Sequence, residues 1–295
     1  MKLIPSNVTF EPVGHTYTLD GKRLEGITDM LKRQLFPGMY EGVPDEVLNA
    51  AKERGSMVHE ICELIDTLGI ENECQEAKNY IALRDKNGLV HEASEYIVTD
   101  REHFASPIDK VYRTGECSFI LADIKTSSVL YREYTRWQLS IYAYLFEMQN
   151  PGAIVDGLYA IWLRGDNAEW AELERVPAKD IEDLLRCEVE GRQYINPYPV
   201  KVTLPVRYAE GQIIELYEAY SYYKEKMEQL KEGIMQEMVK AGVYNYTGQN
   251  LQFIRKRETI RKSFDREAFE KDHPGVYEKY IKESPVTGSI TLKIG

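Results

Sequence analysis

The sequence predicts a mixed α/β protein, with a mixed β-sheet core flanked by helices and a C-terminal appendage of helix and short strands. Three observations lead there. Residues 91–128 hold three consecutive β-like runs, HEASEYIVTD, ASPIDKVYR and ECSFILADIKTSS, separated by turn-like residues. An amphipathic stretch, YREYTRWQLSIYAYLFEM, separates them from a further pair of strand-like runs. After a proline-bearing segment at 196–205 the pattern becomes one long, highly charged helix.

From the N-terminus, VTFEPVGHTYTLDGKRLEGIT reads as two short strands joined at Asp20-Gly21, a favourable hairpin turn. Thr28 is placed to cap a short helix that ends before Pro37. Between Asp45 and Leu68 the apolar residues Val47, Leu48, Ala51, Val58, Ile61, Cys62, Ile65 and Leu68 recur at helical spacing. Gly55 interrupts them, so the segment is one helix or two. A further helix covers about Gln75 to Asp85. The three β-like runs are expected to pair antiparallel with their neighbours.

The amphipathic helix stops at Asn150-Pro151-Gly152. VDGLYAIWLRGDNAEWAELERV gives two strands around Gly165-Asp166-Asn167, and Ala178 to about Tyr194 is helical. Pro197, Pro199 and Pro205 mark a linker. In the long helix, Arg207 to about Ala241, the residues Ile214, Tyr217, Tyr220, Met227, Leu230, Ile234 and Met238 favour one face and predict a packing stripe. Beyond Tyr244 the pattern suggests short strands, a short helical region and a final strand, SITLKI. The expected division is residues 1–44, a hairpin and short helix packed on the core; 45–205, the core; and 206–295, the extension.

At 295 residues, with 43% hydrophobic and 29% charged residues, the chain has the makings of one large domain or two modest ones. No apolar run approaches the roughly 18 residues of a membrane helix, and the opening MKLIPSNVTFEP lacks the features of a signal peptide. A cytoplasmic protein without a membrane partner is expected. Cys62, Cys74, Cys117 and Cys187 form no CxxC pair, which favours buried free thiols over a zinc site or a disulfide framework. The net charge of −11 argues mildly against nucleic acid as a partner. Against that average, Arg255-Lys256-Arg257-Glu258-Thr259-Ile260-Arg261-Lys262 is strongly basic, and carboxylates gathered around a metal would themselves add negative charge.

Four features carry candidate chemistry, in order: RGSMVH (54–59), SPID (106–109), DIK (123–125) and QLSIY (138–142). Alternation along a strand projects Asp123 and Lys125 to one face and turns Ile124 into the core. An acid and an amine there form either a surface ion pair or half of a metal-dependent hydrolytic site. Asp123 follows the apolar FILA, where unpaired charges are avoided, and this favours the second. Asp109 and Asp123 on adjacent strands can converge on one Mg²⁺, with the carbonyl of Ile124 completing the sphere. A nitrogen from His59 would favour tolerance of Mn²⁺. Lys125 can hold or help deprotonate the attacking water and stabilise charge on a phosphate. Gln138 and Tyr142, four apart, share a helix face.

In this order the four motifs resemble the PD-(D/E)XK nuclease superfamily, nearest its RecB-type branch, which includes lambda-type and YqaJ-type phage exonucleases. The resemblance covers roughly residues 54–142; HTYTLDGKRLEGITDML, SFDREAFEKDHPGVYEKYIKES and the terminal ITLKI are looser similarities to phage members. It implies a restriction-endonuclease-like core and a Mg²⁺-dependent exonuclease acting on duplex DNA in recombination. It implies metal ligation by His59, Asp109, Asp123 and the Ile124 carbonyl, Lys125 as the catalytic lysine, and Gln138 and Tyr142 lining the DNA site. Arg136 would help to steer the strand, and Trp137 is expected in the core. Glu63 and Glu95 are further acidic candidates. The family's Pro-Asp pair is here spaced as Pro107-Ile108-Asp109, a departure that RecB-type members share. Relatives with a four-cysteine iron–sulfur site carry most of those cysteines after the glutamine motif; only Cys187 follows it here, so no cluster is expected. The resemblance also points to a single-strand annealing protein as partner, and a ring-shaped homo-oligomer would suit processive digestion. A non-catalytic DNA-binding or assembly module, or an endonuclease of the same chemistry, are the alternatives. Retention of Asp109, Asp123 and Lys125 favours catalysis.

Overall fold

The computed structural model describes residues 1–12, 14–70, 72–198, 204–248, 251–255 and 263–280. Two compact units divide the chain, Met1–Ala219 and Tyr220–Gly295.

The first unit is a mixed α/β assembly around an eight-stranded mixed sheet. Its N-terminal strands are β1 (Thr9–Glu11), β2 (Thr16–Leu19) and β3 (Lys22–Gly26). The hairpin joining β2 and β3 turns on Asp20 and Gly21, whose positive φ of 50° and 79° suits the mirror-image turn expected at Asp-Gly. The expected first strand is in fact two, because the chain doubles back after Glu11 and β1 pairs antiparallel with β2. Helix α1 (Ile27–Gln34) follows without a loop. Its N-cap is Gly26, so Thr28 lies inside the first turn and caps nothing. The Thr28 hydroxyl serves the site instead.

Helix α2 (Asp45–Leu68) is continuous through Gly55. A Cβ at Gly55 would stand 3.1 Å from the Thr126 hydroxyl, so glycine lets the helix approach the end of a central strand closely. Helix α3 (Gln75–Lys86) leads into β4 (Val90–Thr99), β5 (Phe104–Arg113) and β6 (Ser118–Lys125), paired antiparallel as expected. Helix α4 (Arg132–Gln149) then carries the chain over to β7 (Ile154–Arg164), which runs parallel to β6; β8 (Asn167–Leu173) returns antiparallel through Gly165. Helix α5 (Ala178–Val189) is one turn shorter than its periodicity suggests.

Alternation along β6 sorts its side chains between two cores. Phe119 and Leu121 join α1, α4 and α5 on one face, while Ala122 and Ile124 join Val58 and Cys62 of α2 and Tyr80 of α3 on the other. Trp137 is fully buried, as expected. All four cysteines are free thiols; Cys62 and Cys187 are buried, whereas Cys74 and Cys117 are partly exposed.

Helix α6 (Leu204–Lys240) contributes its head to the first unit and the remainder to the second. The expected packing stripe is realised at Met238, while Tyr220, Met227 and Leu230 are exposed. The second unit also holds a small antiparallel pair, β9 (Asn245–Thr247) and β10 (Gln252–Ile254), helix α7 (Arg266–Asp272) and a 3₁₀ turn at Tyr277–Tyr280. Arg255 stacks on Tyr244 at 4.3 Å; the rest of the basic stretch, part of the proline-marked linker and the final SITLKI strand lie outside the described residues. No helix among the described residues is long and apolar enough to cross a membrane.

Candidate metal centre

The site forms where a ladder fails. On one side β5 pairs with β4 from Ala105 to Arg113, with Asp109 left out of the register opposite Glu95. On the other it pairs with β3 only at Phe104 and Ala105, and with β6 only from Lys110 to Arg113. Residues 106–109, the SPID motif, have no ladder partner on that side. Beyond the Lys110–Ala122 pair β6 diverges from β5, carrying Asp123, Ile124 and Lys125 away from it. Pro107 suits this gap, since it has no N–H to offer a ladder.

Side chains meet the backbone groups freed by the divergence. The Ile124 N–H donates to Asp109 Oδ2 at 2.7 Å, and His59 Nε2 lies 3.0 Å from the Ile124 carbonyl. With its proton on Nε2, His59 donates there and turns the lone pair of Nδ1 toward Asp109 Oδ2, 3.5 Å away. Two acceptors facing each other at that distance repel unless a proton or another cation lies between them.

Asp123 and Lys125 project together on the α4 face. Their ion pair is buried on the aspartate side, where the carboxylate is 3% exposed. Asp123 Oδ2 touches the ammonium outside hydrogen-bond geometry and has no hydrogen-bond partner, leaving a buried acceptor with unused capacity. Lys125 donates to Gln138 Oε1 at 2.9 Å. Gln138 Nε2 in turn donates to the Tyr142 hydroxyl at 2.9 Å and approaches the Thr28 hydroxyl at 3.4 Å. Ser106 Oγ and Tyr142 Oη are 3.0 Å apart, which ties SPID to QLSIY.

Glu95 completes the acidic set. One ligand atom each from His59, Glu95 and Asp109 lies within 4.8 Å of the others. Glu95 sits inside β4 with φ of +48°, a left-handed conformation that costs a residue with a Cβ about 1–2 kcal/mol. Its neighbours Ser94 and Tyr96 keep their register with β5, so the strain is confined to the residue that offers its carboxylate.

The electrostatics are those of a crowded acidic centre. Burial, then the charge of Asp109, raises Asp123 to about 6 against the opposing pull of Lys125 and His59. Glu95 opens to solvent on one side, but protein crowding on the others, then Asp109 and Glu63, raise it to about 8. Burial alone would lower Lys125; Asp123, with Tyr134 and Asp109, more than reverses this and holds it above the ordinary lysine range. Burial and the adjacent acids push Tyr142 well above the usual phenol range.

The donor set fits a hard divalent cation: one imidazole, the carboxylates of Glu95 and Asp109, the Ile124 carbonyl and the spare capacity of Asp123 Oδ2. Carboxylates this crowded repel one another, and a cation removes that cost.

The seven residues His59, Asp109, Asp123, Ile124, Lys125, Gln138 and Tyr142 form one connected constellation. Asp123 faces Lys125 more than the His59–Glu95–Asp109 group. Arg136 does not take the strand-steering place expected of it: its guanidinium is committed to Glu133, the Glu174 carbonyl and the Tyr198 ring. Motif spacing gave no sign of Thr28 at the site, because its contact with Gln138 spans 110 residues.

No protein-family model and no curated protein matches the chain. Among solved structures, one described as the crystal structure of SSO0001 is similar at 16% identity over 59% of this chain and 78% of that one, with a TM-score of 0.35. A likeness that remote carries no argument about the site.

Proposed function

We propose that this chain is a metal-dependent deoxyribonuclease of the PD-(D/E)XK type, hydrolysing phosphodiester bonds in duplex DNA from an end. The carrying observation is the convergence of Asp109, Asp123 and Lys125 where β5 and β6 separate, with the Ile124 backbone held by Asp109 and His59. His59, Glu95, Asp109, Asp123 and the Ile124 carbonyl would hold Mg²⁺ or Mn²⁺. When bound, the ion would polarise the phosphoryl oxygens and lower the pKa of a water.

The side chains have separate tasks. Lys125, protonated beside Asp123, acts as a cation: it orients the nucleophilic water and offsets charge on the phosphate. It is a poor candidate for the general base, since its pKa is raised rather than lowered. Gln138 fixes the ammonium from the α4 side, and Tyr142 with Ser106 fixes Gln138. In the reaction a water oxygen bonds to phosphorus and gives up a proton to solvent, the bond from phosphorus to the leaving sugar oxygen breaks, and that oxygen takes up a proton from solvent.

The test is digestion of end-labelled linear duplex DNA beside a closed circle, with Mg²⁺, Mn²⁺ or EDTA. Metal-dependent loss of the linear DNA alone is expected, and release of the label gives the polarity. Cutting of the circle would make the protein an endonuclease. Binding without cutting, under any metal, would replace the proposal with a non-catalytic DNA module.

Lys125→Ala is expected to slow hydrolysis about 10²-fold or more while metal affinity, followed by calorimetry with Mn²⁺, changes by less than about tenfold. A loss of metal binding as large as that of an aspartate variant would refute the division of labour between them.

A further inference from the structure

Beside Lys125 the first unit has a cavity of about 430 Å³, within the roughly 300–1,000 Å³ typical of small-molecule sites. Four aromatic rings stand in its walls beside Met39, Val129 and Leu130. Phe36 and Tyr134 form one edge-to-face pair, with centroids 5.2 Å apart, and Tyr131 and Tyr208 form another at 6.0 Å. Tyr134 joins cavity and site, since its ring centroid is 5.8 Å from Lys125 Nζ. Tyr131 comes from the segment that follows the catalytic strand directly, so the wall and Lys125 are six residues apart.

We propose that this cavity receives an unstacked nucleobase of the DNA strand whose backbone reaches Lys125; the inference rests on the nuclease function above. A flat, largely apolar ring fits walls of this kind, and stacking on aromatic side chains accepts any base. A phosphate does not fit. Among the described residues the one lining cation, Arg132, is paired with Glu169; Glu133 lines the cavity with its carboxylate engaged by Arg136 and Trp137, and the charges of Glu210 and Glu215 act on the Tyr131 phenol. A free anion would meet carboxylates there. Drawing one phosphodiester onto a recessed site requires the adjoining nucleotide to leave the duplex stack, and the cavity supplies a new stacking partner at that place.

Tyr131 is the element to test. It is half-buried rather than core, and α6 fixes its position: a Cβ on Gly211 would overlap the Tyr131 hydroxyl. Gly211→Ala therefore displaces the ring without deleting it.

The experiment is a thermodynamic cycle between protein and DNA, read as equilibrium binding in EDTA by anisotropy of a fluorophore at the far end of the duplex. A tetrahydrofuran abasic residue replaces each of the first three nucleotides of either strand in turn. Base removal also weakens the duplex end, but equally for every protein variant, so the cycle cancels that effect. At one position, base removal is expected to weaken wild-type binding about tenfold. The same removal is expected to cost Tyr131→Ala and Gly211→Ala less than about threefold, while Tyr131→Phe keeps the wild-type sensitivity. Thermal melts establish that the variants are folded, and Gly211→Ala decides the question if Tyr131→Ala is not. Equal losses in wild type and variant at all positions would overturn the pocket while leaving the nuclease proposal intact. Absence of binding to unmodified DNA, together with no digestion in Mg²⁺, would overturn both.

Discussion

Asp123→Asn is expected to lower DNA hydrolysis by at least about 10³-fold while leaving the fold in place. The carboxylate is almost fully buried, and Oδ2 lacks a hydrogen-bond partner. Its neighbours include both Asp109 and Lys125. The amide has nearly the same shape, so the strand and its packing survive. It cannot supply the charge that draws a cation into the centre and keeps the Lys125 ammonium protonated. Stability follows from the sign of the pKa shift. A carboxyl raised in the folded state to about 6 carries no penalty below the ordinary carboxylate range, where folded and unfolded chains are both protonated. Above about 6 both are ionised and the full penalty for burying the charge applies. At neutral pH the substitution removes that penalty but leaves Lys125 without its counter-charge. These effects oppose, and the melting temperature of the metal-free protein is expected to stay within about 3 °C of wild type. Normal cleavage by the variant would show that Asp123 is not part of the centre. A collapse in melting temperature would make its role structural.

The contrast between Asp123 and Glu95 shows what a sequence can reveal of this site. Asp123, Lys125 and Ile124 could be placed from alternation along one apolar run, and Gln138 and Tyr142 from the period of one helix. Local periodicity fixes such relations. Glu95 lies in a strand whose alternation says nothing about a positive φ, and its approach to His59 depends on how α2 crosses the sheet. Thr28 departs from its expected cap position for a related reason. A threonine before an apolar run looks like a cap, but β3 passes straight into α1, so Gly26 takes the cap position and the hydroxyl is free to meet Gln138. The pairing pattern was legible strand by strand, because HEASEYIVTD, ASPIDKVYR and ECSFILADIK each carry their own signal. The gap at residues 106–109 was not, since it arises from β3 and β6 sharing one side of β5 at separate points.

The second large effect concerns Lys110, whose neighbour Asp109 belongs to the centre. Lysine in a strand ordinarily keeps its ammonium in water, yet the Lys110 side chain is 1% exposed and that of Asp66 is wholly buried. The ammonium donates to Asp66 Oδ2 at 2.8 Å, to the Cys62 carbonyl at 3.0 Å and to Ser94 Oγ at 2.9 Å, which uses all three of its protons. Asp66 also accepts from Tyr80 and, at 3.2 Å, from Arg84. Lys110→Met would leave the carboxylate with those two donors, and is expected to cost about 3 kcal/mol, or a fall of about 6–12 °C in melting temperature. Asp66→Leu would strand a buried ammonium on one carbonyl and one hydroxyl, and is expected to cost about 4 kcal/mol. The double variant is expected to be less destabilised than the sum by at least about 1.5 kcal/mol, because each single change includes the burial of an unpaired charge that the double change removes. Urea unfolding of all four proteins measures these differences. Single losses below about 1 kcal/mol, or strict additivity, would mean that the pair contributes little and that something else holds α2 against β5. If the losses are large, this pair anchors the helix that carries His59 to the strand that carries Asp109, and so fixes the distance between two proposed ligands that no strand ladder sets.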